Sequence, residues 1–127
     1  METLRLTTIT PVLAAQLLAG LSRLDPAGVM SEDAIPGMAR RGDCFLTTNG
    51  QGDQSVLVMR NINGVAWVDA CAARGGHGWT EPLFSAIERQ SQGLRAVAFQ
   101  TARAGLARRA QALGYGVAGY ILRKDLP

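Results

Sequence analysis

Apolar and polar positions alternate at the start of the chain, where Leu4, Leu6 and Thr8 predict a first strand. The period then lengthens. Leu13, Leu17, Leu18 and Leu21 fall on one helical face, and Thr10-Pro11 ahead of them supplies an N-cap with proline at the first helical position. These residues predict a helix from Pro11 to about Arg23, stopped by Asp25-Pro26. Ser31 opens a second helical run through Arg40, which Pro36 and Gly37 predict to be broken or looped.

A meander of three strands is predicted next. Cys44 to Thr48 runs into the hairpin signal Asn49-Gly50, lengthened by Gln51-Gly52-Asp53. Ser55 to Arg60 follows, then a turn at Asn61-Ile62-Asn63-Gly64, then Val65 to Cys71. Alternation in this last strand puts Val65, Trp67, Asp69 and Cys71 on one face and Ala66, Val68 and Ala70 on the other. Helical spacing returns near Leu83 with Phe84 and Ile87 and ends at Gln92-Gly93, with Pro82 tolerated in the first turn. Arg95 to Gln100 predicts a strand, and Leu106, Ala110 and Leu113 a helix with Gly114 as C-cap. Val117 to Leu122 predicts a closing strand. The order is β-α-(α)-β-β-β-α-β-α-β, a single α/β (α+β) domain over residues 1–127 without repeats or linkers.

Composition narrows this only modestly. At 47% apolar and 18% charged, the chain is an ordinary globular one. No segment approaches the ~18 unbroken apolar residues of a membrane helix. No basic, apolar and small-residue leader pattern is visible, so the expected setting is cytoplasmic. Cys44 and Cys71 stand alone in strand-like runs and read as buried thiols, and with one histidine no histidine/cysteine metal site is expected. Charge is uneven: residues 1–71 hold five arginines and seven acids, residues 72–127 seven arginines, one lysine and three acids. The basic half suits the phosphates of a nucleotide or nucleic acid, or simply a solvated helix face. Aromatic residues do not interleave with the basic ones as in single-strand platforms.

The chemistry is expected where Ala72-Ala73-Arg74-Gly75-Gly76-His77-Gly78-Trp79-Thr80-Glu81-Pro82 joins the third meander strand to the next helix. Three glycines in four positions before a helix allow a concave turn of inward N–H groups, a seat for phosphate. The same residues also suit a plain strand-to-helix connection. Asp69, the only acid of its strand, is a candidate general base or a strand-face carboxylate paired with arginine. His77 is a second candidate base, or an exposed loop histidine.

The element order, the opening Leu4-Arg5-Leu6-Thr7-Thr8-Ile9-Thr10-Pro11 and the tail Leu113-Gly114-Tyr115 with Leu122-Arg123-Lys124-Asp125-Leu126 resemble the GNAT family of acyl-CoA-dependent N-acetyltransferases. The resemblance implies a mixed central sheet of about six strands flanked by three to four helices. It also implies a pyrophosphate loop of the form Arg/Gln-x-x-Gly-x-Gly/Ala. With Leu83 on the family's helix leucine, Gly78 takes the first loop glycine, Gly75 the basic position and Thr80 the last small one. Starting instead at Arg74 puts His77 and Trp79 where glycines belong. The family's acid tyrosine and helix asparagine fall on Ala110 and Arg103, and Tyr115 matches its packing phenylalanine.

Two functions follow from the resemblance. The stretch Phe99-Gln100-Thr101-Ala102-Arg103-Ala104-Gly105-Leu106 with Leu113-Gly114-Tyr115 is similar to small GNAT-like proteins of tailed bacteriophages. That likeness implies a non-catalytic virion component in a bacterial host, binding other virion proteins or its own copies, with DNA phosphate contacts through Arg103, Arg108 and Arg109. The alternative is an N-acetyltransferase for a small amine or protein amino group. There Arg74, Gly75, Gly76 and Gly78 hold acetyl-CoA, and Asp69 or His77 serves as base.

Overall fold

A computed structural model of the chain describes residues 4–21, 34–73, 78, 80–101 and 103–127. Its elements are β1 (Thr7–Thr8), α1 (Pro11–Leu21), α2 (Ile35–Arg41), β2 (Asp43–Thr48), β3 (Gln54–Ile62), β4 (Val65–Ala73), α3 (Thr80–Gln90), β5 (Ala96–Phe99) and α4 (Ala104–Ala112). The strands form one five-stranded sheet in the order β1-β2-β3-β4-β5. Every neighbouring pair is antiparallel except β4 and β5, which run parallel.

Local chemistry explains most boundaries. Thr10 caps α1, its Oγ1 accepting the Leu13 N–H at 3.2 Å. Pro36 does not break α2: it sits in the first turn, where a missing N–H leaves no intrahelical bond unmade. The predicted stop at Asp25-Pro26 and the Ser31 cap lie outside the described residues. In the β2–β3 loop Asn49 Oδ1 accepts the N–H groups of Gln51 and Asp53, each at 2.9 Å. The β3–β4 turn is tighter than predicted, because Ile62 already pairs with Val65. Asn63 and Gly64 take φ of 53° and 82°, the left-handed pair of a two-residue hairpin turn.

The sheet separates two apolar cores. On one face Leu4, Phe45, Leu57 and Met59 pack against Leu83, Ala86 and Ile87 of α3. On the other, Cys44, Val56 and Val58 pack against Ala14 and Leu18 of α1 and Ile35, Met38 and Ala39 of α2. Arg89 of α3 also donates to the Leu4 carbonyl at 2.7 Å, tying the helix to the entering chain. Between α2 and β2 the backbone passes very close to β3. A Cβ on Gly42 would lie 2.5 Å from Val58 Cγ1 and 3.0 Å from the Met59 carbonyl oxygen. Gly42→Ala is therefore expected to cost about 1–3 kcal/mol by overpacking. Urea unfolding of the variant measures it, and an unchanged midpoint would contradict the close approach.

The predicted sixth strand does not form: residues 117–122 carry no strand pairing and are exposed. Alternating apolarity marks a segment that suits a sheet, but it does not guarantee an accepting edge in the same chain. Ahead of this tail, α4 closes as predicted. Gly114 has φ 99°, its N–H reaches the Gln111 carbonyl at 3.1 Å, and the Tyr115 N–H reaches the Ala110 carbonyl at 3.0 Å. This paired 5→2 and 6→1 bonding is the glycine-closed helix terminus expected at Gly114. No helix among the described residues is long and apolar enough to cross a membrane.

Candidate functional site

The site is built on an irregularity in β4. Met59 of β3 pairs with Val68, whereas the preceding Val58 pairs with Ala70, so Asp69 is an extra residue in β4. Such a bulge re-aims the side chains that follow it. Val68 packs into the core under α3, but Ala70 and Ala72 pack into the core under α1 and α2. The even alternation predicted for Ala66, Val68 and Ala70 therefore fails at Asp69.

β4 also loses its other neighbour at this point. It pairs with β5 only from Val65–Ala96 to Val68–Phe99, and β5 ends there while β4 continues to Ala73. From Asp69 onward the β5 side of the β4 main chain has no strand partner among the described residues. Parallel strands parting at a bulge leave backbone donors and acceptors facing an opening between them.

Asp69 itself is not a free carboxylate. Arg60 Nε and Nη2 donate to its two oxygens, the second at 2.8 Å, and the carboxylate side chain is only 8% exposed. The bidentate fork engages both carboxylate oxygens. The same interaction holds the Arg60 guanidinium above its usual range, the hydrogen bond to Asp69 being the largest cause. Of the two sequence readings of Asp69, the arginine-paired carboxylate is the one the geometry shows. Arg60 was the residue sequence reasoning missed. A two-residue turn after Ile62 sets Arg60 opposite Trp67, one diagonal step from Asp69, so the hairpin register held the signal.

Of the glycine-rich loop, Arg74, Gly75, Gly76, His77 and Trp79 lie outside the described residues. Gly78 is exposed, with φ 97° and nothing within 4 Å of an added Cβ. Glycine is the residue suited to that left-handed position. Ala110 is buried, and its methyl has no acid–base chemistry to offer where the family resemblance placed a tyrosine. Arg103 is exposed at the N-terminus of α4, where its side chain makes no cap.

Tyr115 is a packing residue, as expected. Its ring centroid lies 5.0 Å from that of Phe84 and 5.7 Å from that of Phe99, and its hydroxyl meets Glu88 Oε2 at 3.4 Å. Burial, then the charge of Glu88 and the hydrogen bond to it, push this phenol from 10.0 up to about 12. The folded state therefore holds the Tyr115 proton more tightly than the unfolded chain does. The resulting stability is complete below pH 10 and is lost as pH rises toward 12. Tyr115→Phe is expected to remove that alkaline decline from urea midpoints measured across the window. A decline of the same size in the variant would contradict the assignment.

The cysteines divide. Cys44 is buried as predicted, its thiol donating to the Ala39 carbonyl at 3.2 Å, and burial followed by the Asp43 charge raises its pKa. Cys71, on the stretch of β4 that β5 does not reach, is exposed as a residue, yet burial pushes its thiol up to about 11, with the Ser55 hydroxyl 4.0 Å from the sulfur. No group of histidine, cysteine and carboxylate among the described residues could hold a metal. An open cleft of about 420 Å³, lined by Thr8, Pro11, Asp43 and Gln90 among others, lies at the β1 edge, across the sheet from the bulge.

No family model and no curated protein matches the sequence. Solved structures do match it. A mutant of TTHA1254 from Thermus thermophilus superposes with a TM-score of 0.54 over 97% of each chain at 20% identity. An aminoglycoside N-acetyltransferase, AAC(6')-Iy, crystallised in complex with CoA, superposes with a TM-score of 0.57 over 99% of this chain and 96% of its own, at 15% identity. With its mixed sheet, parted parallel pair and helices on both faces, the chain has a GNAT-like fold.

Proposed function

We propose that this chain is an acyl-CoA-dependent N-acyltransferase whose acyl group sits in the opening between β4 and β5. The observation that carries the proposal is the coincidence of the Asp69 bulge with the last β4–β5 pair at Val68 and Phe99. It frees main-chain polar groups on one side of β4, which suits a thioester carbonyl. The exposed, left-handed Gly78 suits a turn that brings N–H groups to a pyrophosphate, with Gly75, Gly76 and Arg74 beside it in sequence. Bound acyl-CoA would supply an activated carbonyl, the amide N–C bond forming as the C–S bond breaks and CoA leaving as a thiol that takes its proton from water. The amine is a small molecule or a protein amino group. Its proton leaves through water or to His77, since Asp69 is held by Arg60. Asp69 serves instead to fix the bulge. The similarity of the fold to a protein crystallised with CoA supports this reading.

A second reading has a specific observation behind it. The engaged Asp69, the buried Ala110 and the packed Tyr115 leave the described part of the site without a side-chain acid or base. That arrangement suits a GNAT-like protein that no longer catalyses transfer, such as a phage virion component. Acetyl-CoA titration with thiol detection separates the two. Stabilisation by about 2.7 kcal/mol at a hundredfold excess over Kd, with thiol release on adding amines, supports the transferase. Binding without thiol release, and copurification with phage particles, supports the second reading. No stabilisation at millimolar acetyl-CoA overturns the first.

A further inference from the structure

Trp67 is large and half-buried, yet among the described residues it packs into neither apolar core. It pairs with Arg60 across the β3–β4 hairpin and with Ala98 of β5, and directly paired residues share a face of the sheet. That face is the one under α1 and α2. β3 alternates from Val56 and Val58 in that core to Arg60, whose Cγ lies 3.5 Å from a Cβ built on Gly42, just past α2. Asp69, held by Arg60, completes the group where β4 and β5 part. The opening therefore has two unlike mouths. On the α3 face the last residue of β5, Phe99, packs against the rings of Phe84 and Tyr115. On the opposite face Ala98 offers only a methyl, beside the indole of Trp67 and the guanidinium of Arg60.

We infer that this second mouth admits the acceptor, and that the acceptor is an amine carrying a carboxylate, which Arg60 binds while the hydrocarbon part lies on Trp67. On the transferase reading above, on which this rests, the acyl carbonyl sits at the bulge and the phosphates lie toward Gly78 and α3. The amine then approaches from the face that α3 does not cover. Arg60 donates to Asp69 through Nε and Nη2, while Nη1 has no partner among the described residues and 36% of the side chain is in water. The fork to Asp69 fixes the guanidinium plane, so the remaining N–H groups face a second carboxylate without further ordering. α2 ends beside Arg60 and carries Arg40 and Arg41 in its last turn, which adds to the attraction for an anion. An amine without a carboxylate leaves the Nη1 donors to water.

Calorimetric titration with two N-acetyl products, N-acetylphenylalanine and N-acetylphenethylamine, tests this with and without CoA. The two differ only in the carboxylate. The first is expected to bind about tenfold or more tighter, the scale of one hydrogen bond to a charged group. Arg60→Gln is expected to bring the pair to parity. Arg60→Lys, which keeps a charge beside Asp69 but loses the fork, is expected to narrow the gap severalfold. Equal binding of the two products by the unaltered chain, binding of neither, or a gap unchanged in either variant that retains its circular dichroism spectrum overturns the proposal. Thiol release from acetyl-CoA with phenylalanine and with phenethylamine judges the transferase reading separately. A carboxylate preference in binding with no thiol release keeps the anion site and removes the catalysis.

Discussion

Arg60→Met is expected to lower the unfolding free energy by about 3 kcal/mol, more than a surface arginine would warrant. The asymmetry of the pair is the reason. Arg60 keeps 36% of its side chain in water, while the Asp69 carboxylate keeps 8%. Removing the arginine strands a nearly buried charge, whereas Asp69→Asn leaves a guanidinium that water can still solvate and should cost less. Because Asp69 is the extra residue of β4, the loss should concentrate at the bulge. Urea unfolding of both variants and of Arg60→Met/Asp69→Leu measures this. The double variant is expected to recover much of the loss, since no buried charge remains. A change within about 0.5 kcal/mol for Arg60→Met, the scale of an ordinary surface substitution, would contradict the account of the pair.

The second large effect lies beneath α3. Leu57 is fully buried, pairs across the sheet with Phe45 and Cys71, and belongs to the core formed with Leu83 and Ile87. Leu57→Ala removes its outer methyl groups from a site closed by the sheet below and a helix above, where collapse is limited. A loss of about 3–5 kcal/mol is expected. For a chain of this size that is a fall in melting temperature of roughly 10–20 °C, readable by calorimetry. A fall of only a few degrees would mean that α3 does not close over the sheet at that point.

Most of the element order was legible in the sequence because it rests on short-range chemistry. Thr10-Pro11 caps α1, Asn63-Gly64 turns the hairpin and Gly114 closes α4, each through contacts within a few residues. Misreadings arose where the deciding partner was distant. Pro36 looked like a break only because the true start of α2, one residue earlier, is set by Ile35 entering the core. Ala66, Val68 and Ala70 were read as one face because a period of two was carried through Asp69, and a bulge interrupts that period without changing composition. The closing strand was credited with a sheet partner, yet residues 117–122 carry no strand pairing.

The site divides in the same way. Asp69 was identified from its being the only acid in its strand, but its state depends on Arg60, nine residues away across a turn. The parting of β4 from β5 depends on where β5 ends, which alternation along either strand does not encode. What residue types did make legible is the lack of a tyrosine at Ala110, and its burial agrees with a packing role. A transferase built on such a site has to draw on main-chain polarity rather than on a side-chain acid.

That dependence on backbone can be measured directly by amide hydrogen exchange with and without acetyl-CoA. With the coenzyme bound, exchange is expected to slow at residues 69–73 and at Gly78, while the β2–β3 loop at Asn49–Asp53 is unaffected. Acetyl-CoA that binds without protecting 69–73, or that protects the cleft at Thr8 and Asp43 instead, would contradict a coenzyme seat at the parted strands.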